Sequence, residues 1–293
     1  MPLKDALLAL VVIVAWGLNF VVIKVGLQEI PPFLLGALRF LLVAIFIPFF
    51  KRPAMPWRSL FYFGFTIGFL QFGLLFSAMA MGVSAAMASV ILNAQAFFTV
   101  LIAAAVLGES VGRHNVIGMI VAAFGLMLIA LGETSGHVTL IGFFLTVLAS
   151  LSWAVANIVV KTVGKVDMLS LVIWGTIVSP LPFAVLSYFV EGPELILYSL
   201  QNMGLKGYGA LIYLALISTT LGFGLWSWLL SRHPTNRVAP LSLLVPFVGL
   251  TSATLLLDEH LTVLQWIGGL VILGGLALNV FGPQLLATLR RRT

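Results

Sequence analysis

Ten long apolar runs, joined by short polar links, leave this chain a single folding environment. They cover about residues 5–24, 32–50, 60–81, 84–107, 112–131, 139–161, 168–190, 206–230, 237–257 and 262–282. A helix needs about 20 mostly apolar residues to cross the hydrocarbon of a bilayer, where the backbone must satisfy its own hydrogen bonds. The runs are continuous rather than alternating, so they read as helices and not as barrel strands. Only 8% of the residues are charged, against about 25% in soluble domains. The expectation is an all-α integral membrane protein with ten transmembrane helices.

The same pattern excludes several functions. The net charge is +6, but the basic residues sit in the links between spans and not on one soluble face, so nucleic acid is not expected as a partner. No cysteine is present, so neither a disulfide framework nor a thiolate metal site is available. There is no H-E-x-x-H, no Walker loop and no serine nucleophile elbow. An enzyme is therefore not expected, and no cofactor or metal is called for. The first apolar run is longer than the core of a cleavable signal, so it is expected to be retained.

Charge also sets an orientation. With the N-terminus cytoplasmic, Lys4, Lys51, Arg52, Arg58, Arg113, Lys161, Lys165, Arg232, Arg237 and Arg290 to Arg292 all fall on the cytoplasmic side. Lys24 and Lys206 fall outside, and Arg39 lies within a span. Cytoplasmic links carry the excess of Lys and Arg, so both termini are expected inside.

The second half repeats the first. Shifting by 150 places Leu107–Ser110 on Leu257–His260, Gly118 on Gly268, Gly125 on Gly275 and Phe97 on Phe247. A shift of 137 places Trp16 and Lys24 on Trp153 and Lys161. Each half holds five spans, an odd number, so the copies enter the membrane in opposite senses. The reading is two inverted five-helix repeats, residues 1–135 and 136–293, around a central cavity. Substrate sites in such proteins lie near the midplane between the repeats. The recurring Gly118/Gly125 and Gly268/Gly275 are expected to let the fifth and tenth spans pack closely.

Mid-span polar groups are few, and they are the candidate substrate-binding residues. Asn19 follows Trp16 by three positions and Asn157 follows Trp153 by four; both spacings share one helical face. Each Asn either lines the cavity or ties one helix to another. Arg39 either snorkels to the surface or holds a substrate carboxylate. Gln71 sits in the third span. Asn93 and Gln95 point apart on the fourth, with Gln95 favoured toward the cavity. Trp174, Trp226 and Trp228 could form apolar walls, though Trp is more common at interfaces. Pro246, inside the ninth span, is the candidate hinge. All acidic residues lie near span ends, so coupling either uses Glu109 or Glu259 or is absent, with transport running downhill. The cargo expected from this set is a neutral, zwitterionic or anionic small molecule.

In order along the chain, Trp16–Leu27 (WGLNFVVIKVGL), Asn93–Thr99 (NAQAFFT), Arg237–Pro246 (RVAPLSLLVP) and Leu255–Glu259 (LLLDE), together with a Leu-x-Glu link before a Gly-rich last helix in each half, resemble the EamA family of the drug/metabolite transporter superfamily. The resemblance covers nearly the whole chain. More narrowly, it points to members that export amino-acid metabolites such as O-acetylserine and cysteine. It implies a basket of helices in the bacterial inner membrane that exports amino acids or related small metabolites by alternating access. Transport of a sugar or nucleotide-sugar is the alternative, and an intramembrane enzyme or sensor a distant one. A small-molecule substrate and the lipid bilayer are the partners implied. The sequence leaves the oligomeric state open, with a monomer compatible.

Overall fold

The computed structural model describes residues 2–132, 140–164, 166–233 and 238–290. The expected repeat boundary at 135/136 and Lys165, Arg237, Arg291 and Arg292 lie outside the described residues. Every element among the described residues is helical. In chain order they are α1 (Leu3–Gly26), α2 (Pro32–Phe49), α3 (Trp57–Ala80), α4 (Ala85–Leu107), α5 (Arg113–Leu131), α6 (Leu140–Val163), α7 (Met168–Glu191), α8 (Leu205–Leu230), α9 (Leu241–Leu256) and α10 (Val263–Gly282). Among the described residues nine of these are long and apolar enough to cross a membrane, and α9 is shorter.

The ninth run differs from expectation for a local reason. It opens with a 3-10 turn over Ala239–Leu243, and the α-helical ladder starts only at Leu244. Pro246 therefore stands in the first turn of that ladder rather than inside the helix. Its missing N–H has no intrahelical partner there in any case.

Among the described residues three spans carry π-turns. Wider π-turns interrupt α3 at Gly64–Leu70, α7 at Ser187–Glu191 and α8 at Tyr213–Leu221. In α8 the hydroxyls of Thr219 and Thr220 donate to the carbonyls of Leu214 and Ala215, five residues back. Such bulges widen the helix and re-aim the side chains that follow.

Three of the acidic residues at span ends have a common use. Glu191 accepts from the backbone N–H groups of Phe33 and Leu34 at the start of α2, at 2.6 and 3.0 Å. Glu259 does the same for Ala85 and Ala86 at the start of α4, at 2.7 and 3.0 Å. Glu29 accepts from Gly204 and Gly207 at the start of α8. Each carboxylate meets otherwise unpaired donors at the positive end of a helix dipole.

The fifth and tenth spans pack backbone to backbone, as the glycine spacing suggests. A Cβ at Gly125 would lie 2.7 Å from the Gly268 carbonyl oxygen, and one at Gly118 would lie 2.8 Å from that of Gly275. The order of these contacts makes α5 and α10 antiparallel. The central core gathers side chains such as Leu35, Phe76, Met87 and Ile91. Ile120, Phe124 and Leu270 stay exposed on the outer faces of α5 and α10, which suits contact with lipid.

Candidate functional site

The polar side chains of the spans gather in three places. The first joins α1 to the π-turn of α8. Asn19 is buried, and its Oδ1 accepts from Ser218 Oγ at 2.7 Å. Trp16 Nε1 donates to the Ser218 carbonyl at 3.0 Å. The Trp16 ring rests on Phe223 and Trp226, at centroid distances of 5.2 and 5.3 Å. Glycine at 222 is what lets the indole approach, since a Cβ there would lie 2.5 Å from Nε1.

The second place joins α4 to α6. Asn157 Nδ2 donates to Gln95 Oε1 at 2.7 Å and to Thr99 Oγ1 at 3.1 Å. Thr99 in turn donates to the Gln95 carbonyl. Asn93 turns the other way and bonds the Ser89 carbonyl of its own helix, so Gln95 is the residue of that pair that reaches another span. Trp153, one turn before Asn157, is half-buried against the central core.

The third place is Arg39, which packs on Phe72 of α3, the residue after Gln71. Arg39 is 2% exposed, so it does not snorkel. Its guanidinium lies 4.1 Å from the centroid of Phe72 and 5.5 Å from that of Phe40. Nη2 donates to Thr219 Oγ1 at 3.1 Å. Nε and Nη1 are buried and have no hydrogen-bond partner. A mid-span Arg costs about 3 kcal/mol to insert. A desolvated cation–π contact returns about 2 kcal/mol and one hydrogen bond about 1 kcal/mol. The two unmet nitrogens then add a penalty of about 1–3 kcal/mol each, so the guanidinium is left short of an anion. Gln71 is equally buried and follows directly on the π-turn of α3.

Thr219 is the neighbour of Ser218, so the first and third places share one turn of α8. Among the described residues no hydrogen bond joins them to the Asn157–Gln95–Thr99 group. Among the described residues no hydrogen bond joins Pro246 to any of the three; Ser89 Oγ of α4 donates to its carbonyl at 3.5 Å. Of the further Trp candidates, Trp226 packs on Trp16, whereas Trp174 bonds the Phe50 carbonyl at the end of α2. A crevice of about 410 Å³ opens beside the same stretch of α8, with apolar walls that include Phe46, Leu169, Leu216 and Leu221 around Thr220. Sequence reasoning missed Ser218, Thr219, Thr99 and Phe72. The run Ser218–Thr220 inside an apolar span was a usable signal for the first two.

The repeated lysines sit at span ends. Lys161 pairs with Glu109 at 2.8 Å. Lys24 donates to the Met79 carbonyl at 3.0 Å and reaches that of Val83 at 3.5 Å, at the same turn that Glu259 caps. Asp5 and His233 meet at 2.6 Å. Among the described residues no cluster of three or more His, Asp or Glu could hold a metal ion.

The model of the EamA-like transporter family matches residues 3–131 and 140–281. The "Probable amino-acid metabolite efflux pump" of Escherichia coli (strain K12) is 46% identical over 96% of both chains. The protein of the same name in Salmonella typhimurium (strain LT2) is 45% identical over 99% of both. A chain of known crystal structure with 18% identity aligns over 98% of this chain and 99% of its own, with a TM-score of 0.64, and shares the fold. The chain belongs to the EamA-like transporter family.

Proposed function

We propose that this protein is a secondary transporter that exports amino acids or related small metabolites across the bacterial inner membrane by alternating access. The observation that carries this reading is the near-full-length identity to two proteins named as amino-acid metabolite efflux pumps. The geometry agrees with it. Trp16, Asn19, Arg39, Gln71, Gln95, Trp153 and Asn157 supply neutral amides, indoles and one cation inside otherwise apolar spans, the chemistry that a zwitterionic cargo needs. Pro246, at the junction of a 3-10 turn with an α-helix, is the proposed hinge.

The proposed architecture is ten spans in two inverted repeats, 1–135 and 136–293, with α9 as the shortest span and both termini cytoplasmic. Backbone irregularities support it. Gly108 and Asp258, 150 positions apart, both have a positive φ, 68° and 51°. The π-turns of α3 and α8 recur at the same spacing. The glycine contacts pair 118 with 275 and 125 with 268, the reciprocal pattern of a two-fold axis. Alternating access draws support from the two repeated lysines. Lys161 bridges to Glu109, while its counterpart Lys24 lies beside the helix start held by Glu259. If the repeats are inverted, these two latches close opposite ends of the path.

The test is uptake of labelled amino acids by inside-out vesicles. Vesicles that carry the protein are expected to accumulate at least one amino acid several-fold over vesicles without it. No uptake above that of vesicles without the protein, across the whole panel, would overturn the reading. Dissipating a pH gradient then separates the coupling modes: accumulation that collapses marks proton antiport, and equilibration that persists marks downhill transport.

A further inference from the structure

Among the described residues Arg39 has no counter-ion. Of the acidic residues described, Glu29, Glu191 and Glu259 cap helices, Asp5 meets His233, and Glu109 meets Lys161. Asp167 caps the start of α7 through the Ser170 N–H. Glu194 and Asp258 are exposed at span ends. None reaches the guanidinium, which is nevertheless fixed on two sides. Phe72 covers one face, and Thr219 takes one N–H of Nη2. The Thr219 hydroxyl has given its own proton to the Leu214 carbonyl, so it can only accept from Arg39. Its orientation, and with it that of the Arg, is set by the π-turn of α8.

A guanidinium offers two forks of parallel N–H donors, one along Nε and Nη2 and one along Nη1 and Nη2, each matched to a carboxylate. Whichever fork Thr219 enters, the other keeps both its donors, because Nε and Nη1 are both unpartnered. We propose that this remaining fork of Arg39 is a carboxylate-binding subsite, so that the cargo is a small molecule with a free carboxylate, held against Phe72 and beside Thr219. The Asn19–Ser218 pair, on the same turn of α8, then stands where it meets the polar group nearest that carboxylate. The proposal rests on the transport reading and narrows its substrate class: amides, esters and amines of the same skeleton are excluded.

The experiment uses the purified full chain in detergent and reads the thermal midpoint against concentration of L-alanine, L-alaninamide and sodium chloride. L-alanine is expected to raise the midpoint with a half-saturation at least tenfold lower than that of L-alaninamide or chloride. In Arg39→Gln the acid and the amide are expected to differ by less than twofold. Arg39→Lys keeps a charge but loses the fork, and is expected to retain only part of the preference; it also serves if the Gln variant does not fold. An unchanged preference in either variant, or a wild-type chain that treats acid and amide alike, or chloride saturating as readily as alanine, would overturn the subsite. Vesicle uptake separates this from failure of the transport reading. Acid preference without uptake leaves the subsite standing and removes export; uptake without acid preference does the reverse.

Discussion

Asn157→Leu is expected to lower amino-acid uptake in inside-out vesicles at least tenfold while leaving the protein inserted and folded. Hydrogen bonds between helices in a bilayer are worth about 0.6 kcal/mol on average and seldom more than about 2 kcal/mol. Losing the bonds from Asn157 to Gln95 and Thr99 therefore lowers stability only modestly. If the amide serves only to tie α4 to α6, uptake stays near wild type and only the thermal midpoint falls. If it lines the path, uptake falls by far more than the stability change explains. Asn19→Leu is the matched change on α1, where the partner is Ser218. The two variants should give the same pattern if the halves contribute alike.

The second large effect concerns the scaffold. Gly125→Leu is expected to lower the thermal midpoint in detergent by about 5–10 °C, or to prevent recovery of folded protein. Its Cβ would lie 2.7 Å from both the Gly268 carbonyl and the Ile272 side chain. Over-packing a fitted interface costs about 1–3 kcal/mol, and more where two backbones must separate. About 3 kcal/mol corresponds to that shift for a chain of this size. Gly274→Leu, on the partner helix α10, meets nothing within 4 Å and is expected to leave the midpoint unchanged. Equal loss in both variants would mean that the effect comes from helix propensity and not from the α5–α10 contact.

Much of this is legible in the sequence. The apolar runs give the helices within a few residues, because desolvation of the backbone allows nothing else. The glycines at 118, 125, 268 and 275 are readable as a close contact because a pair one heptad apart recurs in each half. The three-residue spacing of Trp16 and Asn19 suits their both reaching Ser218. What such a face meets is not legible. Helical phase is counted at 3.6 residues per turn, and the π-turns at Gly64–Leu70 and Tyr213–Leu221 break that count where Ser218 and Thr219 are presented. Hydropathy carries no trace of such a turn. Of the two carboxylates that the sequence offers for coupling, Glu259 caps the start of α4 and Glu109 pairs with Lys161; these partners are far away in sequence, and one is backbone. The late start of the ninth helix follows from a 3-10 turn that Pro240 and its neighbours allow but do not dictate.

The central claim is that the amides on α1 and α6 belong to a water-filled path that opens to each side of the membrane in turn. Since the chain has no native cysteine, single cysteines report without background. Asn19→Cys, Asn157→Cys and the outward-facing control Leu148→Cys, which is 48% exposed on the lipid side of α6, would be treated in sealed vesicles of either orientation with a membrane-impermeant thiol reagent. Positions 19 and 157 are expected to react from both sides and to be protected by transported amino acid, with position 148 unreactive. Cysteines at 19 and 157 as inert as that at 148, from both sides, would contradict the account.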